Sequence, residues 1–97
     1  MQFIVIANDY KDEKALGRRL AVREEHLEFA AKMFEQKKWL FASALLDDEG
    51  KMNGSVIACD FPSEEELKKE WLDKEAYVVG NVWEDITIRK AKIAQHN

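Results

Sequence analysis

The chain reads as an α+β domain with the element order β-α-β-β-α-β and a four-stranded antiparallel sheet. Three observations predict it. Apolar, strand-like runs stand at Gln2–Ala7, Trp39–Leu46, Ser55–Phe61 and Val82–Ile93. A long helical pattern with no proline separates the first two, and a capping sequence opens a second helix between the last two.

The elements follow in order. Gln2 to Ala7 (QFIVIA) is β-branched and aromatic without polar alternation, as expected of a buried strand. Asn8 to Lys14 is polar, so the chain leaves the sheet there. From about Leu16 to Lys38 the pattern is helical. Trp39 to Leu46 (WLFASALL) is a second strand, apolar on both alternating faces. Asp47 to Gly54 (DDEGKMNG) has the composition of a hairpin loop, and Ser55 to Phe61 is the third strand. Pro62 stops pairing. Ser63-Glu64-Glu65-Glu66 is a capping box, in which Ser63 accepts from the amide three residues on and Glu66 reaches back. The second helix is expected to run to about Lys74 and to bury Leu67 and Trp71. Ala76 to Asn81 reads as a connector. The final strand places Val82, Ile86 and Ile88 on one side and Trp83, Asp85 and Thr87 on the other.

This order is the split arrangement called ferredoxin-like, in which two helices cover one face of the sheet. An antiparallel sheet with a free face should alternate apolar and polar residues. FIVIA and WLFASALL do not. The uncovered face therefore calls for another layer, and a second copy of the chain is the simplest source, so a homodimer is expected. A different partner or a long ligand groove are the alternatives.

Bulk properties narrow the function. Ninety-seven residues make one domain, spanning 1–97, with 46% apolar and 35% charged residues. The formal net charge is −4 and basic residues are interspersed with glutamates, which argues against nucleic acid or an anionic membrane as partner. The single cysteine, Cys59, has no internal disulfide partner and reads as a small core residue of a cytoplasmic protein. Met1 is followed directly by a strand-like run, so neither a leader nor a membrane span is expected. No spaced His/Cys/Asp cluster, glycine-rich phosphate loop or ordered Ser-His-Asp set is present, so neither metal nor cofactor is expected.

The first helix carries the chemistry. On a wheel of about 100° per residue, Val22, Phe29, Ala30 and Met33 fall within about 60° of His26, and Glu24, Glu25, Glu28, Lys32 and Glu35 gather opposite. His26 thus sits in the core-facing stripe. Arg23 lies about 60° from it and Arg19 about 20°. An arginine aimed at a core is costly unless it meets an anion. The bland reading has a satisfied core histidine, Arg23 paired with Asp9 at the end of the first strand, and Arg19 snorkelling at the edge. The sharper reading is that three inward basic groups need more counter-charge than one aspartate and so mark an anion site. Ser43 interrupts the second strand, on a face assigned to Trp39, Phe41 and Leu45, and borders such a pocket or merely packs. Asp60 and Asp85 read as solvated edge acids, the three tryptophans as core or interface residues, and His96 as a terminal residue unable to complete a metal site.

The segment Arg19-Leu20-Ala21-Val22-Arg23-Glu24-Glu25-His26-Leu27, after a strand ending Ala7-Asn8-Asp9, resembles the YciI-like, or YCII-related, domain family. Tyr77-Val78 followed by Val82 to Ile88 is similar to the end of those proteins. The resemblance covers nearly the whole chain. It implies a dimeric α+β barrel of two ferredoxin-like protomers joined sheet to sheet, with a cleft built around a histidine and an acid. On that resemblance His26 is the histidine, with Arg19, Arg23 and Asp9 at matching positions. Related barrels include isomerases, monooxygenase-like enzymes and a dehydrochlorinase, so fold does not choose the chemistry. The chain departs from the family where Ala44-Leu45 stands for Gly-Pro, where Glu75-Ala76-Tyr77 stands for Asp-Pro-Tyr, and where the glycine that follows is shifted or replaced by Asn81.

Two expectations follow. In the first, His26 is a general acid/base paired with Asp9 or Glu75, while Arg19, Arg23 and Ser43 bind a small anionic molecule in a pocket lined by Phe29, Met33 and Phe41. In the second, a degenerate site binds a ligand or serves structure without turnover.

Overall fold

In the computed structural model, which describes residues 1–94, the chain runs β1 (Gln2–Asp9), α1 (Ala15–Glu35), β2 (Trp39–Leu46), β3 (Met52–Asp60), α2 (Glu64–Glu70), a 3-10 turn (Leu72–Lys74), α3 (Ala76–Val79) and β4 (Trp83–Ala91). The strand order is β2-β3-β1-β4 with every neighbouring pair antiparallel, the ferredoxin-like topology. His96 lies outside the described residues. Among the described residues no helix is long and apolar enough to cross a membrane.

The two-residue period of β1 separates the faces. Phe3, Val5, Ala7 and Asp9 are buried, and across the ladder Phe3 meets Cys59, Val5 meets Ile57 and Ala7 meets Ser55. Ala30 and Met33 of α1, Leu67 of α2, Trp71, Leu72 and Tyr77 close over this side and complete one core cluster. Each such large apolar side chain contributes about 1.5–3 kcal/mol on burial. Ile4 and Ile6 belong to the opposite face, with Val56, Phe41 and Leu45 alongside them by register. Phe41 is 44% exposed. The face opposite the helices carries an apolar patch across β1, β2 and β3, as the sequence predicts, while β4 adds Asp85, Thr87 and Arg89 to it by register.

Two bulges correct the expected faces. Between Asn8 and Asp9 the register jumps from Asp85 to Trp83, so Glu84 is the extra residue. Trp83 is thereby buried on the same side as Ile86 and Ile88 rather than opposite them. In β2 the register jumps from Trp39 to Phe41, leaving Leu40 over. Trp39 is buried in the core while Phe41, Ser43 and Leu45 face away, so these four residues do not share a face.

The second helix is shorter than its pattern suggests. Ser63 caps it by accepting from the Glu66 amide at 3.1 Å, as expected, but α2 ends at Glu70 and the chain tightens into the 3-10 turn. Glu75 is then extended (φ −65°, ψ 124°) and its carboxylate accepts from the Tyr77 amide at 3.2 Å, starting α3 where a connector was expected. Asn81 ends that turn in the left-handed region (φ 57°), which asparagine tolerates in place of glycine. At Gly54 a Cβ would lie 2.7 Å from the Ala7 carbonyl oxygen, so only glycine lets β3 approach β1 there.

Candidate functional site

α1 delivers two inward polar side chains from the same stripe, His26 and Arg19, and each meets its own acid. His26 Nδ1 lies 2.5 Å from Glu75 Oε1. Glu75 is fully buried, and its other carboxylate oxygen accepts from Trp71 Nε1 at 2.7 Å. Its neighbours therefore offer hydrogens from three sides: an indole N–H, the Tyr77 backbone N–H and the imidazole. A carboxylate surrounded in this way is an acceptor at every contact, so the His26 ring donates to it through Nδ1. The histidine ring stacks on Tyr77 with centroids 4.0 Å apart and planes 15° from parallel.

Arg19 is held separately. Its Nε donates to Asp9 Oδ2 at 2.9 Å, and its Nη2 donates to the Gly54 carbonyl at 2.6 Å and to Ser55 Oγ at 2.7 Å. The guanidinium carbon sits 4.4 Å from the Tyr77 ring centroid. Tyr77 thus touches both basic groups. Burial pushes its phenol above the ordinary range, with Arg19 acting against that shift.

These groups border a cavity of about 210 Å³ lined by α1 (Arg19, Arg23, His26), by Ala42–Ala44 of β2, by Ser55 and Ile57 of β3, and by Tyr77. Leu27 and Met52 complete its wall. Its position between helix and sheet is set by small residues: Ala42 and Ala44 leave room that larger side chains in β2 would fill.

The placement of the predicted residues follows. Glu75, not Asp9, pairs with His26, because the break after the 3-10 turn swings Glu75 under the α1 stripe. Asp9 pairs with Arg19, not Arg23. The wheel contains the reason: Arg19 lies closer to the centre of the buried stripe, so it is 2% exposed, whereas Arg23 is exposed at the cavity and forms no ion pair among the described residues. Ser43 borders the cavity, but its hydroxyl donates to the Val56 carbonyl at 3.0 Å and its register is that of the opposite face. The expected lining by Phe29, Met33 and Phe41 is not found. Met33 is in the core, Phe29 lines a separate groove with Val22 and Val79, and Phe41 belongs to the open sheet face. Cys59 is buried, and burial pushes its thiol up to about 12, so it is a core residue as expected.

Sequence reasoning missed Ser55 and Trp71 as members of this site and quoted Tyr77 only for its family likeness. Ser55 carried a signal: it shares the two-residue parity of Ile57 and Cys59, so a polar group was placed on the core side of β3.

The sheet topology defines a ferredoxin-like α+β fold with its candidate site between α1 and the sheet. The chain belongs to the YCII-related domain family, which matches residues 1–92. Its fold is similar to that of 5-chloro-2-hydroxyhydroquinone dehydrochlorinase from Burkholderia phenoliruptrix AC1100, solved with 2,5-dihydroxybenzoquinone, at a TM-score of 0.81 and 18% identity, covering 100% of this chain and 99% of that one. It is also similar to a Deinococcus radiodurans protein provisionally designated an antibiotic biosynthesis monooxygenase (TM-score 0.54, 15% identity, 100% and 98% covered). A third likeness is to protein Atu4242 from Agrobacterium tumefaciens (TM-score 0.53, 14% identity, 98% and 95% covered). At these identities the likeness concerns the fold. No curated protein sequence matches the chain.

Proposed function

We propose that this protein is a small acid-base enzyme acting on a small anionic metabolite, with His26 as the proton-transfer group. The observation that supports it most is the engagement of His26 Nδ1 by a fully buried Glu75 while the ring borders a cavity. In this reading Nε2 removes a proton from a carbon beside a carbonyl or from a phenolic hydroxyl. The electron pair left behind moves onto a substrate oxygen, and Glu75 stabilises the imidazolium that forms. Returning the proton to a different atom gives isomerisation. Losing a leaving group from the adjacent carbon gives elimination. Arg23, exposed at the cavity and without an ion-pair partner among the described residues, supplies attraction for the negative charge, while Arg19 holds the floor of the site through Asp9 and Ser55.

The similar dehydrochlorinase was solved with a dihydroxybenzoquinone, which is a flat, acidic ring. A ligand of that chemistry suits a cavity walled by Tyr77, Leu27 and Ile57 and lined by basic groups, so hydroxylated quinones and small hydroxy or keto acids are the panel to test. Incubation in deuterated water, followed by NMR, reads proton exchange at carbon directly. Exchange by the wild-type protein that is lost in His26→Ala supports the reading. Binding without exchange across the panel favours a ligand-binding protein instead, a reading supported by how fully Arg19 and Glu75 are engaged within the protein.

We further infer that a second copy covers the open sheet face. Ile4, Ile6, Phe41, Leu45 and Val56 form an apolar surface on the side away from the helices, and an identical sheet is the layer that matches it. Sedimentation at micromolar concentration tests this, a monomer being the contrary result. A cytoplasmic location accords with a single buried thiol.

A further inference from the structure

We propose that Ser55 is a substrate-contacting residue: its hydroxyl is the hydrogen-bond donor that receives an anionic oxygen of the ligand at the floor of the cavity. This rests on the reading of the cavity as the binding site and names the group that selects the ligand there.

A serine hydroxyl has one hydrogen to give and lone pairs to receive. Ser55 Oγ receives from Arg19 Nη2 at 2.7 Å, and among the described residues its own hydrogen has no acceptor. The residue is 4% exposed and lines the cavity, so that hydrogen is directed by elimination to whatever occupies the space. Leaving a buried hydroxyl hydrogen unpaired is costly, so water or a ligand atom must take it. A bond received from a cation polarises the O–H and makes it a better donor to an anion.

The surroundings fix the oxygen in place. Ser55 pairs with Ala7 in β1 and with Ala44 in β2, and Gly54 beside it presents its carbonyl to the same Nη2 at 2.6 Å. Asp9 grips the guanidinium through Nε at 2.9 Å, with its second oxygen 3.4 Å from Nη2. The serine is therefore anchored by a buried ion pair rather than free to turn, which is what a preorganised donor for developing charge needs. Tyr77 touches both the Arg19 guanidinium and the His26 ring, so donor and base border one small space. The ligand class that fits carries an ionised oxygen for Ser55 and a second group whose proton His26 Nε2 accepts, with Arg23 satisfying net negative charge.

The test uses 4-nitrophenol, whose anion is coloured, and its methyl ether 4-nitroanisole, which cannot ionise. Both are titrated into wild type, Ser55→Ala, Ser55→Thr and His26→Ala, each checked for folding by circular dichroism. The expected result is a loss of phenolate affinity of about tenfold or more in Ser55→Ala, recovery in Ser55→Thr, and affinity for the ether unchanged within about twofold. If Ser55→Ala is unfolded, the Ser55→Thr protein alone decides, since it keeps the hydroxyl and must keep the preference for phenolate over ether. Equal phenolate binding by wild type and Ser55→Ala, with loss in His26→Ala, overturns the role of Ser55 and leaves the cavity reading standing. No phenolate binding by the wild type overturns both.

Discussion

His26 Nδ1 and Glu75 Oε1 are 2.5 Å apart, joined across 49 residues of chain from the middle of the long helix to the break before the last short one. The acid is more deeply buried than the base, and it is fixed by Trp71 Nε1 on its other oxygen. A carboxylate held in this way orients the imidazole, and the proposed role of the second ring nitrogen rests on that orientation.

Replacing Glu75 with alanine leaves the Trp71 indole N–H, the His26 ring and the Tyr77 amide without their acceptor. The expected cost is about 3 kcal/mol or more, read as a lower urea midpoint. Glu75→Gln is milder in volume but turns an amide N–H toward a donor, so it should also lose stability and disturb the His26 ring. Unchanged midpoints in both variants would remove Glu75 from the account.

Arg19 and Arg23 should behave oppositely, although both were expected to bind ligand. Arg19→Ala strands the buried Asp9 carboxylate and should cost about 3–5 kcal/mol. Arg23→Ala, at an exposed position with no ion pair among the described residues, should change stability by less than about 0.5 kcal/mol and weaken anion binding. Denaturation and a phenolate titration of the two variants separate these roles.

Cys59 should resist thiol reagents. Its thiol is pushed up to about 12 by burial, first, and by the nearby Asp60 charge. At mildly alkaline pH the folded protein should react with an aromatic disulfide reagent only as fast as it opens, and full reaction should require denaturant. Rapid labelling of the native protein would contradict this burial.

Asp12 offers a pH test outside the site. The hydrogen bond from Arg18 holds its carboxyl at about 2, below the ordinary 3.8. A depressed acid contributes stability that is present above its unfolded value and is lost as pH falls through its folded one. Asp12→Asn should therefore differ from wild type at neutral pH and converge with it as the pH drops from about 4 to about 2, as thermal melts across that range would show.

The fold was legible because β1 and β2 are unbroken apolar runs, α1 carries a helical period and Ser63 gives a clear cap. Face assignments in β2 and β4 were not, because the bulges at Leu40 and Glu84 each shift the alternation by one residue and leave no local composition signal. The site was legible on α1, where helical spacing alone placed His26 and Arg19 inward. It was half legible elsewhere. Glu75 could be named as one of two acids, but choosing it over Asp9 depends on the 3-10 turn at Leu72–Lys74, which reads in sequence as continuing helix. Ser55 was hidden by its neighbours, since one serine at the start of an apolar strand resembles an edge residue until Arg19 is seen to reach it.

The proton on His26 is the most direct test of the account. Long-range proton–nitrogen NMR of the histidine rings, recorded above neutrality, distinguishes the two ring nitrogens. Nδ1 is expected to carry the hydrogen, Glu75→Gln to alter this signal, and added 4-nitrophenol to move the Nε2 resonance. A ring protonated on Nε2 instead, with no response to the probe, would contradict it.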